Sequence, residues 1–218
     1  MATYLDTSTW PRRDAFEYFR GFDKPYFNVC TRLDVAPLKA TLAARGGGSL
    51  MLAYYFIALR LANEQEPFRL RLEGGRVRVH EVVHGATTVL RDDESFAFAY
   101  IDHDTDFARF AQRSAAVIAA LRDPQAAFEP RVDEAGMLHF TTLPWVHFTS
   151  FSHARNWGRE DSVPKLAFGR IAADGPHQWL PLSVEVHHAL MDGLHVGRYL
   201  EAFEAALREP LTWLGAPR

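Results

Sequence analysis

The sequence predicts an α+β fold, a two-layer sandwich in which helices cover a mixed β-sheet. Helical patterns are interleaved with a hairpin and with strands that are not adjacent along the chain, which argues against a strict βαβ repeat. The 218 residues are 48% hydrophobic and 23% charged, as in globular proteins. Because no linker rich in Pro, Gly or Ser divides the chain, we expect a single domain over residues 1–218.

Three helices are predicted in the first third of the chain. Pro11 lies at the start of a short one that ends near Gly21. Asp34 is a candidate cap for a second helix over residues 36–45. Ser49 is a candidate cap for a third, which is almost wholly apolar and must therefore be buried.

A hairpin and an aromatic strand follow these helices. Residues 69–83 alternate apolar and charged side chains on both sides of Gly74 and Gly75, the pattern of a hairpin with a two-residue turn. The next strand carries its aromatic residues on one face, namely Phe96, Phe98 and Tyr100.

The rest of the chain predicts one helix, three extended segments and a final helix. The first of these helices begins at Asp104 or Thr105 and runs through Leu121. The extended segments are residues 137–151, 166–171 and 181–187, and the last of them leads into a helix over residues 193–207.

Composition excludes several classes of function. Lys and Arg number 24 against 27 Asp and Glu, so the chain lacks the positive excess that nucleic acid binding requires. Cys30 is the single cysteine, which excludes an internal disulfide and a multi-thiolate metal site. The longest apolar run, residues 50–59, is too short to span a bilayer. We therefore expect a soluble, cytoplasmic protein without a membrane partner.

Residues 181–207 carry the strongest indication of chemistry. In a strand, Leu182, Val184 and Val186 share a face with His188, so one histidine points toward apolar neighbours. Desolvation there favours a neutral imidazole, which is what a general base requires. Asp192 directly precedes a helix and is expected to cap it as an ionised carboxylate.

Plainer interpretations of the same residues stay open. A histidine among apolar residues is more often a hydrogen-bonded core residue than a catalyst, and an aspartate before a helix is usually only a cap. A metal site built from His187, His188, Asp192 and His195 is disfavoured, because adjacent strand residues point in opposite directions and no HExxH or CxxC spacing occurs. We therefore expect no metal.

Three separated segments resemble the chloramphenicol acetyltransferase family of CoA-dependent acyltransferases. The segment HHALMDG at residues 187–193 is similar to the HHxxxDG signature, and WPRRDAFEYF and LPWVHFTSF match at residues 10–19 and 143–151. The resemblance implies the family's α+β fold and an acetyl-CoA-dependent transfer to a hydroxyl of chloramphenicol. It also implies antibiotic resistance as the role of the reaction.

The resemblance implies four catalytic residues. His188 corresponds to the general base, and no acyl-enzyme is expected. Thr141 stands where the family has a serine that donates to the tetrahedral oxygen, and it keeps the hydroxyl. Asp192 corresponds to an aspartate that pairs with an arginine near the N-terminus, for which Arg13 rather than Arg12 is the expected partner.

The resemblance also suggests the acceptor pocket. Phe128 matches an aromatic pocket position, and the further candidate walls are Tyr26, Phe27, Phe96 and Phe98, each of which is equally plausible as plain core. Ala167 stands where the family usually carries a threonine. His153 replaces an apolar pocket residue, which changes the acceptors that the pocket accepts.

The family implies a homotrimer whose active sites lie between subunits, with acetyl-CoA as co-substrate. Other functions stay open: an acetyltransferase for a different hydroxyl acceptor, or a silent trimeric ligand-binding homologue. The acyltransferase core of a dehydrogenase complex shares the base motif, but this chain lacks the lipoyl and linker segments that normally accompany it.

Overall fold

The structure is a computed structural model that describes residues 3–131, 135–155 and 160–215. Within these ranges the strands are β1 Thr3–Tyr4, β2 Tyr26–Asp34, β3 Leu70–Glu73, β4 Arg76–Val79, β5 His84–Leu90, β6 Phe96–Ile101, β7 Met137–Leu143, β8 Lys165–Gly169, β9 Ala172–Asp174 and β10 His177–His187. The helices are α1 Arg13–Phe19, α2 Ala36–Ala44, α3 Leu50–Glu64, α4 Phe107–Leu121, α5 Gly193–Arg208 and α6 Pro210–Leu214.

The larger sheet is mixed, which confirms the predicted α+β fold. Its strand order is β2-β10-β8-β7-β5-β6, with β9 paired to the start of β10. The pairs β5–β7 and β7–β8 are parallel, and the other pairs of this sheet are antiparallel. A smaller sheet, β1-β4-β3, contains the predicted hairpin.

The core lies between one face of the larger sheet and the helices. Helix α3 is central to it: Tyr55, Ile57 and Ala58 are fully buried, and the helix contacts α2, α4 and α5. The Ser49 hydroxyl accepts the Leu52 N–H at 3.2 Å, so the predicted cap is confirmed. Among the described helices, none is long and apolar enough to cross a membrane.

The opposite face of the sheet is covered at one side and open at the other. Over β10, the side chains of Ser183, Glu185 and His187 are buried although they point away from the helices. Over β6, alternation leaves Phe96 45% exposed while Ala97 is buried. The aromatic face predicted for this strand therefore faces away from the helices and is not part of the main core.

Several element boundaries differ from the sequence predictions. No clear sequence pattern marks β2 or β5, because neither strand shows a clean alternation of apolar and polar residues. Strand β7 ends at Leu143, well before the predicted residue 151, since Pro144 follows and cannot donate to a ladder. Helix α4 begins at Phe107 with Asp106 as its cap, because the Asp106 carboxylate accepts the Arg109 N–H at 2.8 Å.

A fully buried arginine joins the hairpin to the larger sheet. Arg71 donates to the carbonyl oxygens of Phe68, Leu70, Ala135 and Met137 at 2.6 to 2.9 Å. Two of these carbonyls belong to the start of β7 and the turn before it, so one side chain fixes the hairpin against this strand.

We expect Arg71→Met to lower the free energy of unfolding by about 2 to 4 kcal/mol, because it leaves buried carbonyl groups without their charged donor. Urea titration at fixed protein concentration measures the change. Arg113→Met, whose side chain is 64% exposed, is the matched control and should change stability by less than about 0.5 kcal/mol. Equal losses in the two variants would contradict this role for Arg71.

Candidate active site

His188 directly follows β10, at the turn that leads to α5. Its backbone N–H donates to the Pro25 carbonyl at 2.6 Å, which holds this turn against the chain before β2. The imidazole stacks on Phe19 of α1 with ring centroids 3.7 Å apart and an interplanar angle of 8°. Phe27 lies on another side at 4.7 Å. Two aromatic residues thus fix the plane of the ring.

The contacts of Nδ1 determine which nitrogen of His188 is basic. Nδ1 lies 3.2 Å from the Met191 carbonyl oxygen and 3.4 Å from the Asp192 carboxylate. Since a carbonyl can only accept, the neutral ring carries its proton on Nδ1. Among the described residues none hydrogen-bonds to Nε2, and 32% of the side chain is exposed. Nε2 is therefore available as a base.

The partner of Asp192 is Arg12, and the prediction of Arg13 is wrong. Arg12 Nε and Nη2 donate to the two carboxylate oxygens of Asp192 at 2.7 and 2.5 Å. Arg13 is exposed as the first residue of α1. Side chains of consecutive residues entering a helix point about 100° apart, so only one of the two arginines can face the turn.

Arg12 also binds backbone carbonyl groups of the turn. Its remaining hydrogen bonds go to the carbonyl oxygens of Ala189, at 2.9 Å, and His188, at 3.1 Å. The hydrogen bonds from Arg12 are the main reason that the pKa of Asp192 is lowered. One guanidinium therefore fixes both the backbone of His188 and the cap of α5.

His195 has a role at this turn that the sequence analysis missed. Its Nδ1 accepts the Asp192 backbone N–H at 2.9 Å, the reciprocal half of a capping box. Burial lowers the pKa of His195, which keeps Nδ1 an acceptor. The sequence signal was the spacing of three residues from a capping aspartate, although histidine is an unusual residue for that position.

A second group of predicted residues lies around a cavity of about 330 Å³ on the face of the sheet opposite the helices. Among its lining residues are Thr141, Phe98 and His153. Phe96 and Phe128 lie beside it, with ring centroids 5.6 and 5.2 Å from that of Phe98. The structure thus brings five predicted residues together.

Within one chain this cavity is separate from His188. Thr141 pairs with Ala167, which in turn pairs with Ser183, so Thr141 is about 10 Å to the side of β10. His188 lies five residues beyond Ser183, roughly 16 Å farther along the strand. The predicted base and the predicted donor to the tetrahedral oxygen do not meet in a single chain.

Two further predicted positions have definite surroundings. The Tyr26 hydroxyl donates to the Asp161 carbonyl at 2.6 Å and its ring contacts His187, so Tyr26 is not among the lining residues of this cavity. Ala167 is fully buried in β8 between Thr141 and Ser183. It supplies no hydroxyl to the site.

His187 points away from His188, as strand alternation predicts. Burial lowers the pKa of His187 to about 4, and its Nδ1 accepts the Ala189 N–H at 3.2 Å. It is therefore a neutral buried residue. In the described parts of the chain, no group of three or more His, Cys, Asp or Glu is placed to hold a metal ion.

Comparison with known proteins gives a consistent result. Residues 1–204 match the family described as chloramphenicol acetyltransferase. A chloramphenicol acetyltransferase of Streptomyces acrimycini is 31% identical over 212 residues, 96% of each chain. A solved chloramphenicol acetyltransferase structure aligns with a TM-score of 0.85 at 23% identity, over 95% of this chain and 100% of that one.

A more distant structure shows how widely the fold is shared. The dihydrolipoamide acetyltransferase of Azotobacter vinelandii aligns with a TM-score of 0.70 at 16% identity, over 92% of this chain and 88% of that one. At this identity the likeness concerns the fold alone.

We expect Arg12→Met to reduce the free energy of unfolding at neutral pH by about 1 to 2 kcal/mol, since it removes charged hydrogen bonds to a partly exposed carboxylate. Arg13→Met is the matched control and should be neutral. Urea titration at fixed protein concentration compares the two variants with the parent protein.

The deficit of Arg12→Met should depend on pH. The pKa of Asp192 is lowered in the folded state. The ionised carboxylate therefore contributes fully to the free energy of unfolding above the unfolded pKa of about 3.9, and this contribution is lost as the pH falls toward the folded value. The deficit should therefore shrink below about pH 4, leaving the part due to the two carbonyl contacts. A deficit that grows with acidification would contradict the pairing.

Proposed function

The chain belongs to the chloramphenicol acetyltransferase family and is an acyltransferase, and we propose that it transfers the acetyl group of acetyl-CoA to a hydroxyl of chloramphenicol. The single observation that carries the proposal is the geometry of His188. Its ring is fixed by Phe19 and its Nδ1 is engaged by a carbonyl, which leaves Nε2 to accept a proton.

The proposed reaction needs no acyl-enzyme. His188 Nε2 takes the proton of the acceptor hydroxyl while the hydroxyl oxygen attacks the thioester carbonyl. The tetrahedral intermediate collapses to the acetyl ester, and CoA leaves as the thiol with a proton returned by the imidazolium. The hydrogen bonds from Arg12 to the His188 carbonyl and to Asp192 keep the base in place, and Arg12 takes no part in the proton transfer. Positioned bases of this kind contribute about 10² to 10⁴ in rate.

We propose that each complete site forms between two subunits of a homotrimer. His188 and Thr141 lie on opposite faces of one sheet, so the hydroxyl of Thr141 can reach the oxygen that develops charge only if it comes from a neighbouring subunit. The open aromatic surface of Phe96 and Phe128 is on the side that would then be covered.

A different hydroxyl acceptor is the second candidate function. Ala167 provides no supporting hydroxyl, and His153 places a polar ring in the acceptor cavity. A silent binding protein of the same fold is disfavoured, because the contacts that orient the base are complete. We place the reaction in the cytoplasm, in keeping with an exposed free thiol at Cys30.

We expect acetyl transfer from acetyl-CoA to chloramphenicol, and His188→Ala should lower kcat by about a thousandfold. The assay follows release of the free CoA thiol. His177→Ala, at the exposed far end of β10, removes an imidazole outside the site and should retain activity. Unchanged turnover in His188→Ala would refute the mechanism, and transfer only to other alcohols would favour the second candidate.

The shared site predicts complementation between inactive chains. Thr141→Val should lower kcat by about 10² to 10³, because it removes the donor to the tetrahedral oxygen but keeps the volume. Co-expression of His188→Ala chains with Thr141→Val chains should restore part of the activity, since some interfaces then join two intact halves.

Two controls accompany the complementation experiment. Co-expression of the chain that carries both substitutions with either single variant should give no more activity than the more active of the two chains gives alone. Light scattering should give three times the mass of the chain. Failure of complementation in a confirmed trimer would contradict the shared site.

A further inference from the structure

His153 is a buried polar side chain whose ring nitrogens make no hydrogen bond to the described residues, and it lines the cavity that contains Thr141. Its side chain is 9% exposed and it lines that cavity beside Phe98 and Thr141. Among the described residues, neither ring nitrogen of His153 has a hydrogen-bond partner. Leaving such groups unpaired in a buried site is costly, so an unpaired imidazole facing a cavity indicates a ligand.

The charged side chains behind His153 form ion pairs with one another, and their charges sum to zero. Arg155 donates to Glu185 at 2.7 Å and lies 3.1 Å from Asp161, and Lys165 lies 2.9 Å from Asp161. Two acidic and two basic groups therefore cancel. Burial would raise the pKa of Glu185, but His153 and Arg155 outweigh that effect and lower it to about 2. Burial lowers the pKa of His153, so the imidazole is neutral.

The carboxylate of Glu185 orients this neutral ring. His153 Nδ1 lies 3.8 Å from Glu185 Oε2, and the His153 backbone N–H donates to the same oxygen at 3.3 Å. The negative charge of this carboxylate favours the tautomer whose N–H is nearer to it, so the proton of the imidazole belongs on Nδ1. Nε2 is then an acceptor and requires a donor from whatever fills the cavity.

We propose that His153 is a specificity-determining residue that accepts a hydrogen bond, through Nε2, from a donor group of the acceptor other than the hydroxyl that reacts. Glu185 is a positioning residue that fixes the tautomer. The inference rests on the proposed function. Chloramphenicol meets the requirement chemically, since it has two hydroxyls and an amide N–H and keeps two donors when one hydroxyl reacts.

The test compares chloramphenicol with analogues that each lack one donor, the N-methyl amide and the O-methyl ether of the secondary hydroxyl. The protein is compared with His153→Leu and with the control His177→Leu. In the parent protein and the control, one analogue should lose roughly 10- to 100-fold in kcat/KM relative to chloramphenicol, because it leaves Nε2 unpaired. In His153→Leu, the kcat/KM of the same analogue should differ from that of chloramphenicol by less than about threefold.

Calorimetric binding of the same compounds without acetyl-CoA separates this inference from the proposed function. Binding that discriminates through His153, without any acetyl transfer, would overturn the proposed function and support the inference. Equal discrimination by the parent protein and His153→Leu, in binding and in turnover, would overturn the inference alone. If chloramphenicol neither binds nor reacts, both are wrong.

The tautomer can be read directly from the protein. In ¹⁵N spectra of histidine-labelled protein, the signal that disappears in His153→Leu should show a protonated Nδ1 and an unprotonated Nε2. Glu185→Gln removes the charge that fixes this form and should shift the signal toward the other tautomer. A proton on Nε2 in the parent protein would overturn the proposal.

Discussion

The turn that bears the candidate base His188 depends on the guanidinium of Arg12. It satisfies both oxygens of Asp192 and two backbone carbonyls of the turn that bears His188. A single planar group with several donors in fixed directions thus joins the N-terminal segment, the end of β10 and the start of α5. The orientation of the His188 ring is a consequence of these hydrogen bonds together with the aromatic stacking on Phe19.

The separation of His188 and Thr141 between two faces of the sheet follows from strand alternation. Leu182, Val184 and Val186 point into the helical layer, and the chain beyond them carries His188 to the edge of that layer. Thr141 and Phe98 line a cavity on the opposite face. In the proposed reaction the two faces of the sheet serve one site, and an arrangement of that kind needs a second subunit for reasons of geometry.

The buried charges over β10 serve a different purpose from the hydrogen bonds of Arg12. Glu185, Arg155, Asp161 and Lys165 neutralise one another beneath the segment that carries His153. Balanced charges of this kind are costly to bury, so their main benefit is a defined arrangement of the residues above them. A neutral imidazole in front of an ionised carboxylate is the result.

The sequence by itself determined the fold class, the hairpin at Gly74, the buried helix after Ser49 and the identity of His188 as the candidate base. These features follow from local periodicity, turn chemistry and a motif, all of which are readable in a short window of residues. It led to Arg13 where the partner of Asp192 is Arg12, because two adjacent residues carry the same side chain and only the rotation at the start of α1 separates them. Nor could it recognise β2, an edge strand whose half-exposed faces lack alternation. Only the tertiary structure placed Glu185 beside His153 and Thr141 away from His188, because distances between residues far apart in sequence are set by strand register and packing.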